Sequence, residues 1–316
     1  MTKPIPKKVL VTARTMSRVL SAFVPVLERA GWIVDCETPA GQRFAAEDLA
    51  GLAEGCHAMI VGDDELSPDF FARAPETLGL VVKWGVGTDS IDYLAAEAAG
   101  VRVFNTPRMF GAEVADLAMG YVLSLARNIV AVHSAVQAGV WPQPEGITLA
   151  GRTLGIVGFG DAGQSLARRA AAFGMDVIFS DPYFPANPED DRRREVAELF
   201  GEADFVVMTC PSTSETRGMV AQASLSLMKH GSFLVNVARG DLVVEEDLCD
   251  ALASGQLAGA ALDVFGEEPL PMSSPLRDQS SVIFGAHNGS NTRAGLLRAS
   301  ERATEIVIDW GGGMGL

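Results

Sequence analysis

Short apolar runs and longer amphipathic stretches alternate along the chain. Val9–Thr12, Trp32–Val34, Ala58–Val61, Leu78–Val82 and Val101–Phe104 have strand length, and Met16–Ala30 and Phe44–Ala53 between them read as helices. Strands that are apolar throughout are buried on both faces, and their alternation with helices predicts a parallel, doubly wound sheet. A second series of the same kind begins at Thr153. Its expected strands are Thr153–Gly158, Asp176–Ser180, Phe205–Thr209, Phe233–Val237, Ala258–Leu262 and Val282–Phe284. A last helix is expected over about Thr292–Trp310, before a glycine-rich tail, 311–316, that holds no fixed structure easily. The expected class is α/β, with two doubly wound parallel sheets.

The stretch 111–140 breaks the alternation. Ala118, Tyr121, Val122, Leu125, Ile129, Val132 and Val136 recur every three or four residues, which predicts one long helix with a single apolar face. That face packs on its own domain or on a second copy of the chain, and the pattern weighs the two equally. Trp141-Pro142-Gln143-Pro144 ends the helix.

Composition narrows the partners. The 316 residues carry 40 Asp and Glu against 25 Lys and Arg, a net charge of −15. Such a surface repels phosphate backbones and anionic lipid, so neither nucleic acid nor membrane is an expected partner. Cys36, Cys56, Cys210 and Cys249 form no CxxC pair and stand beside no His at metal-ligand spacing. They read as four buried reduced thiols, and no metal site is expected. No apolar run approaches membrane-span length, and Val9–Ala13 is too short for the core of a signal peptide, so a cytoplasmic protein is expected.

The most informative motif is Gly158-Phe159-Gly160-Asp161-Ala162-Gly163, between an expected strand and an expected helix. In that setting Gly158 permits a tight turn, Gly160 lets the backbone approach a pyrophosphate, and Gly163 lets helix and strand pack closely. The amides of Asp161 and Ala162 open the helix and face phosphate. Asp181, at the end of the next strand, suits the adenosine ribose hydroxyls and repels a 2′-phosphate, which favours NAD over NADP. Arg192, Arg193 and Arg194 read as a solvated helix start, because Pro182 and Pro185 turn the chain away first.

Hydride transfer to a carbonyl also needs a proton donor and a positive group at the oxygen. Of the four histidines, His287 follows an expected strand at the sheet edge where open α/β sheets bind ligands. Arg239, Asp263 and Glu268 follow neighbouring strands on the same edge.

With these residues in place, the chain resembles the D-isomer-specific 2-hydroxyacid dehydrogenases. The resemblance runs through Val82-Lys83-Trp84-Gly85-Val86-Gly87, Asn105-Thr106-Pro107, Val114-Ala115-Asp116, the glycine turn, Cys210-Pro211 with Thr216, Asn236-Val237-Ala238-Arg239-Gly240, Leu262-Asp263-Val264-Phe265, Glu268-Pro269 and His287. It implies a Rossmann-type NAD-binding domain, 105–286, inserted into a flavodoxin-like substrate domain made of 1–104 and 287–316. It implies Arg239, Glu268 and His287 as catalytic residues. His287 exchanges the proton, Glu268 favours its charged form, and Arg239 holds the substrate carboxylate. Asp263 would hold the nicotinamide carboxamide. Cys210, Pro211, Thr216, Val237, Ala238, Arg239, His287 and Gly289 complete the cofactor set, and Lys83, Val86 and Gly87 join Arg239 and His287 around the substrate. A small 2-hydroxy or 2-keto acid is the implied substrate, and a homodimer through 111–140 the implied assembly.

Two departures from the family bear on the substrate. Asn288 and Asn291 follow His287 where a small apolar pair is usual, and Gly62-Asp63-Asp64 stands where an Arg-Ser pair is common. Aspartates there argue against a phosphorylated substrate. Two other readings share these features: an NAD(H)-binding sensor of co-repressor type without turnover, and an enzyme for 3-phosphoglycerate, a phosphonate or formate.

Overall fold

The computed structural model describes residues 7–41, 43–185, 187 and 190–313; the end of the glycine-rich tail, 314–316, lies outside the described residues. The chain divides into two compact units, one of Met1–Met109 with Asn291–Leu316 and one of Phe110–Ser290. Residues 105–109 therefore fall with the first unit and 287–290 with the second, the reverse of what the motifs suggest. The causes are local. Asn105 ends a strand of the first sheet, and the His287 and Gly289 amides are hydrogen-bonded to Asp263.

The first unit is a five-stranded parallel sheet in the order β2-β1-β3-β4-β5. Its strands are β1 (Lys7–Val11), β2 (Trp32–Cys36), β3 (Ala58–Val61), β4 (Leu80–Lys83) and β5 (Arg102–Asn105). This is the doubly wound flavodoxin-like order, and all of β3 and β4 is buried, as their unbroken apolar runs require. The expected helix Met16–Ala30 is instead three pieces: helices Arg14–Ser17 and Val24–Arg29 with a 3-10 turn, Leu20–Ala22, between them. Pro25 is the reason. It lacks an N–H and its ring obstructs the preceding turn, so a helix starts at it and does not run through it. The final helix, Arg293–Gly311, is capped by the Thr292 side chain on the Gly295 amide and packs on this unit through Trp310 beside Trp32.

The second unit is a six-stranded parallel sheet, β11-β10-β9-β8-β6-β7. Its strands are β6 (Thr153–Val157), β7 (Asp176–Ser180), β8 (Phe205–Met208), β9 (Ser232–Asn236), β10 (Leu257–Leu262) and β11 (Val282–Phe284). Side chains along a strand alternate between its faces. Accordingly, Phe205 and Val207 join the cluster under helices Gly111–Ala126 and Asp161–Ala172, while Val206 and Met208 join the cluster on the opposite face. Both faces are covered, so the C-terminal strand ends are left to hold polar chemistry.

Three expectations change here. The helix over 111–140 is two helices, Gly111–Ala126 and Ile129–Gln137, bent by 66°. The break falls at Asn128, which takes a left-handed backbone (φ 54°) that Asn tolerates better than most residues, and donates from Nδ2 to the Glu145 carbonyl. Ala118, Tyr121, Val122 and Leu125 are buried in the unit's own core, whereas Ile129, Val130 and Val136 are exposed. Second, Arg192–Arg194 is no helix start. It returns along β7, where Phe179 bridges Arg193, in the outer position of the third strand of a 3-2-1-4-5-6 sheet. The Arg192 guanidinium lies over Phe159 and Phe179, both 5.8 Å away, and pairs with Asp190. Third, Cys36 is exposed at the end of an edge strand, while the other three cysteines are buried; all four are free. Among the described residues no single helix is long and apolar enough to cross a membrane.

Candidate active site

The glycine turn joins β6 to helix Asp161–Ala172. Gly158 has φ 93°, and a Cβ on it would stand 2.6 Å from the backbone of Cys210. A Cβ on Gly163 would stand 2.2 Å from the Gly158 carbonyl oxygen, so helix and turn meet backbone to backbone. By contrast, a Cβ on Gly160 would meet nothing within 4 Å, and the space beside that backbone is open. The first-turn amides of the helix that starts there, including those of Asp161 and Ala162, have no partner within the helix. The Asp161 carboxylate accepts the Gly111 amide (3.1 Å), which ties it to the start of helix Gly111–Ala126.

Asp181 follows β7. One carboxylate oxygen accepts the Phe159 amide (2.7 Å), and the other accepts the amides of Tyr183 and Phe184. The acid is thereby fixed to the turn, and its remaining lone pairs suit hydroxyl donors. Cys210 and Pro211 follow β8, and Thr216 folds back so that its hydroxyl donates to the Pro211 carbonyl (2.7 Å). Burial pushes the Cys210 thiol up to about 11, so it stays a neutral wall of the turn.

Arg239, Asp263 and His287 follow β9, β10 and β11, three neighbours in the sheet. The Asn236 side chain shapes the Arg239 loop, donating to the Arg239 carbonyl (2.8 Å) and accepting the Ala238 amide. Val237 and Ala238 are buried beneath the arginine. Glu268 accepts the Phe265 amide on one oxygen (3.0 Å) and meets His287 Nδ1 with the other (2.7 Å). The imidazole is thus oriented through Nδ1, and Nε2 is the nitrogen suited to chemistry. Asp263 is buried and accepts the Asn288 and Gly289 amides (2.8 and 2.9 Å). Its backbone carbonyl accepts the amide of His287, which itself has φ 50°.

The expected cofactor and catalytic residues therefore stand along one edge of one sheet, with His287, Glu268 and Asp263 joined through hydrogen bonds. Lys83, Val86 and Gly87 belong to the other unit, at and after the end of β4. Lys83 is buried, pairs with Asp63 (2.6 Å) and donates to the Gly62 carbonyl. Asp64 is buried too, accepting the Thr12 hydroxyl and the amides of Phe44 and Gly62.

The pattern missed Asn236 and Tyr121. Tyr121 counts as one more apolar position on its helix, yet its hydroxyl donates to Asp263 (3.1 Å). Burial, and then the charge of Asp263, push that hydroxyl up, so it remains a donor. The available signal was a single phenol in a row otherwise filled by Ala, Val and Leu.

Residues 119–289 match the family model described as the D-isomer specific 2-hydroxyacid dehydrogenase, NAD binding domain. The chain belongs to this family. A D-3-phosphoglycerate dehydrogenase of Methanocaldococcus jannaschii is 36% identical over 90% of the chain, which spans only 54% of that relative's length. A glyoxylate reductase of Korarchaeum cryptofilum is 33% identical, over 95% of this chain and 92% of its own. Among solved structures, the TT0316 protein of Thermus thermophilus superposes with a TM-score of 0.86 at 33% identity, covering 96% of this chain and 97% of its own. An NAD-dependent formate dehydrogenase of Staphylococcus aureus in complex with NAD does so with a TM-score of 0.86 at 25% identity, covering 98% and 97%. NAD is the cofactor of this dehydrogenase fold, and the open backbone at Gly160, the helix start and Asp181 fit its pyrophosphate and ribose.

Proposed function

We propose that the chain catalyses reversible, NAD-dependent oxidation of a small, unphosphorylated D-2-hydroxy acid to its 2-keto acid. The observation that carries this is the His287–Glu268 pair at the end of β11, beside the ends of β10 and β9 that bear Asp263 and Arg239. When bound, NADH supplies the hydride. His287 supplies the proton: its imidazolium donates from Nε2 to the keto oxygen during reduction and accepts the proton back during oxidation. Glu268 keeps Nδ1 protonated and stabilises the imidazolium with its charge. Arg239 binds the substrate carboxylate, with a guanidinium anchored by donation to the Ala238 carbonyl (2.7 Å). Asp263 would accept from the nicotinamide carboxamide, and Asp181 from the ribose hydroxyls. Cys210, Pro211, Thr216, Val237, Ala238 and Gly289 would line the cofactor.

The unphosphorylated substrate rests on the first unit's loop. The charge of Lys83 is matched by Asp63, and Asp64 is enclosed by three donors, so that loop offers a phosphate no surplus of positive charge. A sensor without turnover would have no need of a half-buried carboxylate aligning a histidine, which favours the enzyme. We further assign a cytoplasmic homodimer assembled through the exposed apolar residues of Ile129–Gln137 and the adjoining Val140 and Trp141. Sedimentation as a monomer would sink that assignment.

The test is an NADH oxidation assay on glyoxylate, hydroxypyruvate, pyruvate and 3-phosphohydroxypyruvate. One of the first three is expected to exceed the phosphorylated acid at least tenfold in kcat/KM. Preference for the phosphorylated acid overturns the substrate class. Absence of turnover on all four overturns the reading.

A further inference from the structure

We propose that Tyr121 is a positioning residue for the His287 turn, acting through Asp263. The inference rests on the catalytic reading above, but its first observable does not depend on turnover. Asp263 is 1% exposed and joins two sets of partners. On one side its Oδ2 accepts the Asn288 and Gly289 amides, and its carbonyl accepts the His287 amide. On the other, its Oδ1 accepts the Tyr121 hydroxyl at 3.1 Å. His287 carries a Cβ in the left-handed region (φ 50°), a backbone state that persists only where the surroundings impose it. The imposing contacts are those that converge on Asp263.

Gly285 shows that the phenol belongs to this arrangement. A Cβ there would stand 2.1 Å from Asp263 Oδ1 and 2.2 Å from the Tyr121 hydroxyl. The hydroxyl and the carboxylate oxygen therefore meet in the space that any side chain at 285 would take. Tyr121 and Gly285 form a complementary pair: one brings a donor to a buried carboxylate, and the other vacates the room for it. A phenylalanine at 121 would fill the core almost equally well and leave Oδ1 without that donor. Burying a charge without its hydrogen bonds is costly, so Asp263 would shift to regain a donor and carry the Asn288 and Gly289 amides with it.

The test compares Tyr121→Phe, which removes one oxygen atom, with the unsubstituted chain. In the protein without ligand, the Asn288 and Gly289 amides are expected to exchange with solvent about tenfold faster, with β6 amides unchanged. In the assay kcat is expected to fall about tenfold, with the keto-acid KM within about twofold. In an Asp263→Asn background the same substitution is expected to change kcat less than twofold, because two residues acting in one chain are not additive. Gly285→Ala, which drives the hydroxyl off the carboxylate with Tyr121 in place, is expected to reproduce the faster exchange. Unchanged exchange at Asn288 and Gly289 in both variants overturns the proposal, as does a full tenfold loss in the Asp263→Asn background. If His287→Asn retains turnover, the catalytic reading fails, while the exchange result still decides the role of Tyr121.

Discussion

Polar side chains collect at the C-terminal strand ends of both sheets, but they are used differently. In the first unit, at the ends of β3 and β4, they satisfy one another. Asp64 takes three donors, and Lys83 is matched by Asp63 and the Gly62 carbonyl. In the second unit the groups are anchored but stay partly exposed. His287 is oriented at Nδ1, Asp181 is fixed by three amides on two oxygens, and the backbone at Gly160 opens to free space. The same parallel architecture thus yields a buried polar cluster at one edge and anchored, partly exposed groups at the other. A charge buried among its donors supports the fold, whereas one anchored by as many donors but still reached by solvent can take a ligand.

The sharpest way to break this contrast is at His287. His287→Asn preserves a polar side chain but removes the acid–base group, and kcat in the keto-acid assay is expected to fall about 10³-fold. The melting temperature should stay within a few degrees, since the ring is partly exposed and its backbone is held by Asp263. The opposite signature is expected at Asp64. Asp64→Ala leaves the Thr12 hydroxyl and two amides without their acceptor, and the first unit should lose about 3 kcal/mol of stability by denaturant titration. Its effect on kcat at a temperature where the protein stays folded should be slight. A large loss of kcat with little loss of stability would dissolve the distinction. The smallest effect of the three is expected at Glu268→Gln, which keeps a hydrogen-bonding group at His287 but removes the charge that favours imidazolium. Reduction needs the protonated ring, so kcat should drop about tenfold at neutral pH and the alkaline limb of the reduction profile should move to lower pH. A limb that stays in place would show that Glu268 only orients the ring.

How much was legible follows from the range of each interaction. The strand series was readable because apolar runs and their spacing are local; Ala58–Val61, Asp176–Ser180 and Val282–Phe284 stand as the pattern places them. The glycine turn was readable for the same reason: its requirements fall within six residues. Helix breaks were less visible, since Pro25 gives a signal that helical periodicity masks, and Asn128 breaks a run that its apolar neighbours continue. The place of Arg192–Arg194 is not legible, because the prolines ahead of it say that the chain turns, not that it returns to β7.

The sequence by itself determined the class of the fold, the cofactor turn and the identity of the groups at the strand ends. Those rest on period, turn chemistry and side-chain type, which act over a few residues. Only the tertiary structure decided which of the groups are spent and which remain. Lys83 meets Asp63 across a loop, and Tyr121 reaches Asp263 across 142 residues of chain into space that Gly285 leaves open. Hydrogen bonds require atoms within about 3 Å, and the order of residues along a chain does not state which atoms folding brings that close.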